Sequence, residues 1–106
     1  MSTFTERYDE TIEELESKLS QLIDNGSEFD YEMEGQVLKI EFENGEKYII
    51  SPNSPVNQLW ISADYAGHRF NWSDAISDWV NEKSDEPMRA YLSKALSEKL
   101  GEAVSL

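Results

Sequence analysis

Residues 35–51 read "GQVLKIEFENGEKYIIS". From Val37 to Glu43 apolar and polar residues alternate, with Leu38, Ile40 and Phe42 on one side. That period of two is what a strand with one buried face requires. Asn44-Gly45 follows, the dipeptide best suited to the left-handed backbone of a tight hairpin turn, and Tyr48-Ile49-Ile50 returns as the partner strand. An antiparallel hairpin therefore sits in the middle of the chain.

Before it, residues 28–34 read "EFDYEME". Phe29, Tyr31 and Met33 alternate with Glu28, Asp30, Glu32 and Glu34, which predicts another half-buried strand, and Gly35 separates it from the hairpin. After the hairpin, Pro52 and Pro55 are expected to break the sheet. Gln58 to Ala63 then reads as a strand with Gln58, Trp60 and Ser62 on one face. Residues 68–72 and 78–80 read as two shorter strands.

A helix is predicted at each end. Phe4, Tyr8, Ile12, Leu15, Leu19, Leu22 and Ile23 recur at spacings that gather them on one stripe. Ser2 or Thr3 is the expected cap, and Asn25-Gly26 the stop. Near the C-terminus, Asp85-Glu86-Pro87 has the order of a helix start. Met88, Tyr91, Leu92, Ala95, Leu96 and Leu100 form the second stripe, Gly101 ends it, and Val104 and Leu106 are expected to pack back between the helices. Two helices with one apolar face each, flanking five or six antiparallel strands, are most economically laid on one face of the sheet. The fold class is α+β, a two-layer sandwich in a single domain over residues 1–106.

The chain of 106 residues carries a net charge of −13, has no cysteine, and has His68 as its one histidine. Disulfides, thiolate sites and histidine-rich zinc sites are thereby excluded. Residues 1–36 hold 11 acids against Arg7 and Lys18. So acidic a chain lacks the basic footprint of a nucleic-acid binder and favours cations or a basic protein surface. No stretch is long and apolar enough for a membrane helix, and "MSTFTERYDE" has neither region of a secretion signal, so a cytoplasmic, soluble chain is expected.

The acids of "EFDYEME" have an energetic cost. Same-face neighbours on a strand lie about 7 Å apart and repel by roughly 0.6 kcal/mol per pair even at the dielectric of water. A solvated edge that discourages sheet-to-sheet aggregation is one explanation. Continuation of the charge onto the first helix favours a cation-binding surface instead. Carboxylates are hard ligands suited to iron, Mn²⁺ or Ca²⁺, and without imidazole or thiolate such sites are shallow, wet and weakly selective. Trp60 faces away from the core by alternation, as either an interface anchor or an aromatic cover for the sheet. His68 is read as a surface residue near a turn, Trp72, Trp79 and Tyr91 as core.

Taken with the element order, "GQVLKIEFENGEKYIIS", "PVNQLWIS" (residues 55–62) and "AGHRFNW" (residues 66–72) are specific. Through them the whole chain resembles the frataxin family, most closely its bacterial CyaY branch. The resemblance implies a non-enzymatic protein that binds iron (Fe²⁺ or Fe³⁺) weakly through surface carboxylates. It also implies action on iron–sulfur cluster assembly, through a cysteine desulfurase and its scaffold protein as partners. Carried over by position, the metal-binding acids fall on Glu16, Asp24, Glu28, Asp30 and Glu32, and the partner face on Gln58 and Trp60. Here the charge also extends to Glu10, Glu13 and Glu14, whereas Ser17, Ser20 and Gln21 stand where bacterial members usually carry acids. Ser51-Pro52-Asn53 departs from the family's usual Asn-x-Gln. A monomer is expected. The competing readings are a carboxylate-based iron oxidase and an acidic interaction module that binds metal incidentally.

Overall fold

The computed structural model describes residues 3–63 and 66–106. Helix α1 (Phe4–Asp24) is followed by β1 (Phe29–Glu34), β2 (Val37–Phe42), β3 (Lys47–Asn53), a single 3-10 turn (Ser54–Val56), β4 (Gln58–Ala63), β5 (Ala66–Ser73), β6 (Asp78–Asn81) and α2 (Met88–Leu100). The strands form one antiparallel meander in the order β1-β2-β3-β4-β5-β6, so β1 and β6 are its edges. Both helices cover the same face, giving the α+β two-layer sandwich read from the sequence.

Periodicity accounts for the core. Tyr8, Ile12, Leu15 and Leu19 of α1 and Met88, Leu92 and Leu96 of α2 are buried against Leu38, Ile40, Ile50, Leu59, Ile61 and Phe70. Each fully buried aliphatic side chain of this kind contributes about 2 kcal/mol. Trp79 is wholly buried, and its indole N–H donates to Thr11 Oγ1 at 2.9 Å, which gives this buried hydroxyl a partner. The Tyr8 hydroxyl donates to the Gln36 carbonyl at 2.6 Å and lies 3.3 Å from that of Ile50. Burial, with a lesser effect of Asp9, pushes this phenol well above its ordinary range.

Five details differ from the sequence reading. Pro52 does not break the sheet: it lies within β3, opposite Leu59 of β4. On the other flank β2 pairs with β3 only over Lys47–Ile50, so the ladder there has ended before a residue without an N–H is reached. Pro55 does end the strand run, inside the 3-10 turn. Met33, although on the apolar side of β1, is 37% exposed, on an edge strand that has a neighbour on one side only.

The start of α2 is the third difference. Asp85 has φ +60° and is not the cap; Pro87 occupies that position and offers no side-chain bond. Asp78 of β6 supplies it instead, with Oδ2 accepting from the Arg89 N–H at 3.2 Å and Oδ1 from the Trp79 N–H at 2.8 Å. The fourth is His68, which is half-buried within β5 with its ring 4.9 Å from that of Tyr91. The fifth is Trp72, only partly buried, edge-on to Trp79 at 5.4 Å and beneath the Arg7 guanidinium at 4.7 Å.

At the first helix Thr3 is the cap, its Oγ1 accepting from the Glu6 N–H at 3.2 Å; Ser2 lies outside the described residues. The C-terminal tail is tied to α2: Ser97 Oγ accepts from the Val104 N–H and Ser93 Oγ from the Leu106 N–H, both at 2.9 Å. Val104 itself is buried in the core.

Candidate functional site

Register, rather than sequence proximity, assembles the acidic surface. β1 pairs with β2 so that Phe29 faces Phe42, Asp30 faces Glu41 and Glu32 faces Lys39. One step further out, Glu28 meets Glu43. The neighbouring Glu28 carboxyl, first as a hydrogen-bonding partner for the protonated form and then through its charge, holds the Glu43 carboxyl above the usual carboxylate range. Two like-charged pairs therefore stand side by side at the Glu28 end of the edge.

Charge is compensated toward the other end. Lys39 forms an ion pair with Glu34, whose carboxyl is held below its ordinary value by the hydrogen bond and then the charge of that lysine. Lys47 lies 3.6 Å from Glu41, an exposed pair of small energetic weight. Uncompensated negative charge is thus densest at Glu28, Asp30 and Glu43. Glu41 and Glu43 were not assigned to the site by sequence reading. Counting back through the two-residue Gly35-Gln36 turn finds them, because that turn sets residue 28 opposite residue 43.

The helix acids lie elsewhere. Glu10 and Glu13 are exposed on α1, Glu16 is half-buried and Asp24 is the last helical residue. They belong to the helical layer, whereas Glu28, Asp30 and Glu32 project from the opposite face of the sheet. Among the described residues no three Asp, Glu or His side chains come together as a group able to hold one ion. The seven acids singled out in the sequence are therefore spread over two layers that meet along the free edge of β1. At that seam Ser20 replaces a charge with a tie, its hydroxyl bonded to that of Tyr31. Ser17 and Gln21 are exposed.

The outer face continues from the acids to Trp60. One row across the sheet runs Glu32, Lys39, Ile49, Ser62 and Gly67, and Trp60 shares the side of Ser62 on β4. Its neighbours Leu59 and Ile61 are fully buried and Trp60 is half-buried, as alternation requires. The indole N–H donates to Gln58 Oε1 at 3.0 Å, and the Arg69 guanidinium carbon lies 5.0 Å from the ring centroid. A groove of about 750 Å³ opens beside it, lined in part by Arg69, Glu82, Lys83 and Tyr91. Edge acids and tryptophan thus share one sheet face, which has hard oxygen donors at one end and an aromatic anchor at the other.

Comparison with known proteins agrees with this architecture. A family model for the frataxin-like domain matches residues 1–102. The iron–sulfur cluster assembly protein CyaY of Pseudomonas aeruginosa is 33% identical over 99 residues, covering 92% of each chain. The protein of the same name from Pseudomonas fluorescens is 31% identical over 103 residues, covering 95% of this chain and 93% of its own. Among solved structures, the frataxin from Psychromonas ingrahamii, a model for stability modulation within the CyaY family, superposes with a TM-score of 0.85 at 27% identity. That match covers 96% of this chain and 92% of the neighbour.

Proposed function

The chain belongs to the frataxin-like family, and on that premise we propose that it acts in iron–sulfur cluster assembly as a binding protein without turnover of its own. Its acidic edge docks a basic surface of the cysteine desulfurase or its scaffold protein and takes iron weakly as cargo. The observation that carries this reading is the pairing of like charges, Glu28 with Glu43 and Asp30 with Glu41, on the sheet face that also presents Trp60. Repulsion retained on a small domain implies a positive counterpart.

Iron fits the donor set chemically, as a hard cation on carboxylate oxygens. With two carboxylates to a pair and water around them, ions held at Glu28–Glu43 keep most of their hydration, bind at micromolar affinity or weaker, and are displaced by Mn²⁺ or Ca²⁺. An oxidase would need more ligands converging on its metal, so binding is favoured over catalysis. Glu10, Glu13, Glu16 and Asp24 extend the field around the edge, Trp60 supplies the apolar contact, and Gln58 supplies a polar one beside it.

A pull-down from a bacterial lysate tests the reading. The wild-type chain recovers a cysteine desulfurase, and recovery falls when Glu28, Asp30 and Glu32 are neutralised together or when Trp60→Ala is introduced. Undiminished recovery by both variants would refute it.

A further inference from the structure

Trp60 is held by a chain of contacts that converges on one residue outside the sheet's outer face. Glu82 follows β6 and is anchored by its main chain, its N–H donating to the Arg69 carbonyl at 2.9 Å. Its Oε1 accepts from Gln58 Nε2 at 3.0 Å, and its Oε2 lies 3.9 Å from the Arg69 guanidinium. Gln58 in turn accepts the Trp60 indole N–H, and Arg69 lies over the Trp60 ring. Both groups that fix the indole are themselves fixed by Glu82.

The amide of Gln58 makes this directional. A glutamine amide presents an oxygen at one end and an NH₂ at the other, and either could face the indole. A carboxylate only accepts, so Glu82 selects the orientation in which NH₂ faces it and Oε1 faces Trp60. Asn71 Oδ1 takes the second amide hydrogen, at 3.3 Å. The acceptor is ionised, which makes the Glu82 bond the stronger of the two. The geometry points to Glu82 as the positioning residue of the Trp60 docking face: its carboxylate sets the Gln58 amide and so pre-orients the indole for the partner. This deepens the docking role proposed above and rests on it for its consequence, though not for the geometry.

The three tryptophans supply the readout. Their indole N–H groups have different partners, Gln58 for Trp60, Asp74 for Trp72 and Thr11 for Trp79, so ¹H–¹⁵N spectra report each separately. Glu82 is exposed and its main-chain bond does not need the side chain, so variants keep the fold. Glu82→Gln retains an acceptor oxygen and leaves the Trp60 signal near its wild-type position. Glu82→Ala moves it, and Glu82→Lys moves it furthest, because a donor there turns the Gln58 oxygen away from the indole. Trp72 and Trp79 signals stay in place. Desulfurase capture falls in the same order, by roughly fivefold for Glu82→Ala, the scale of one side chain that must be ordered on binding. An unmoved Trp60 signal in Glu82→Lys, or equal movement of all three indoles, overturns the assignment. If Trp60→Ala leaves capture intact, the docking role fails, while the indole shifts still decide whether Glu82 positions Trp60.

Discussion

Glu28 and Glu43 lie one step beyond the Phe29–Phe42 pair of the first two strands, two neighbouring acids on the open edge of the sheet. The folded state raises the affinity of Glu43 for a proton, so the native protein binds more protons than the unfolded chain in the carboxylate range. Stability from this pair is therefore greatest at acidic pH and is lost as pH rises through the folded value. Glu43→Gln, which cannot ionise, should raise the melting temperature by a few degrees at pH 7 and give little or no gain near pH 4. Thermal denaturation followed by circular dichroism at the two pH values checks this; an equal gain at both would assign the effect to packing.

Cations should relieve the same strain by two routes. Monovalent salt screens the edge, whereas divalent hard cations also bind the native state and stabilise it by mass action. At matched ionic strength Mn²⁺ should raise the melting temperature above the value in NaCl, and Glu28→Gln/Glu43→Gln should remove that excess while keeping the screening response. Iron titration should broaden amide signals of residues 28–30 and 41–43 before those of α2.

Asp78 joins the end of the sheet to the second helix. Asp78→Ala leaves the Arg89 and Trp79 N–H groups without their acceptor and should cost about 2 kcal/mol, in the range of a lost helix cap with a buried donor left unpaired. Asp78→Asn, which still offers an oxygen, should cost less than half as much. Urea unfolding measures both.

Thr11 provides the corresponding test in the core. Thr11→Val keeps the shape but strips the partner from the Trp79 indole, and should destabilise by about 1–2 kcal/mol. The Trp79 indole signal should shift while that of Trp60 stays in place.

Much of this architecture is legible from periodicity. The Asn44-Gly45 hairpin, the two helical stripes and the inward Leu59 and Ile61 follow from local spacing, and Trp60 follows from alternation. Contacts set by register or by tertiary packing are not legible in the same way. Asp85 looks like the cap of α2 because only neighbours in sequence are visible; the acceptor is seven residues earlier, on β6. Pro52 looks like a sheet breaker because the length of β2, not β3, decides whether its missing N–H matters. The strand acids were legible as a row, but Glu41 and Glu43 double that row only once the turn at Gly35-Gln36 fixes the register. Glu82 carries no local signal at all.

The central claim is that concentrated charge on the β1–β2 rim, rather than the acidity of the whole chain, recruits a positive partner. The most direct measurement is binding to a purified cysteine desulfurase by two variants of equal charge change, Glu28→Gln/Asp30→Asn/Glu43→Gln on the rim and Glu6→Gln/Asp9→Asn/Asp74→Asn on the far side, around the start of α1 and the Arg7–Asp74 pair. The rim variant should bind at least tenfold more weakly and the far-side variant nearly as well as the wild type. Equal weakening of both, or none in either, would contradict the claim.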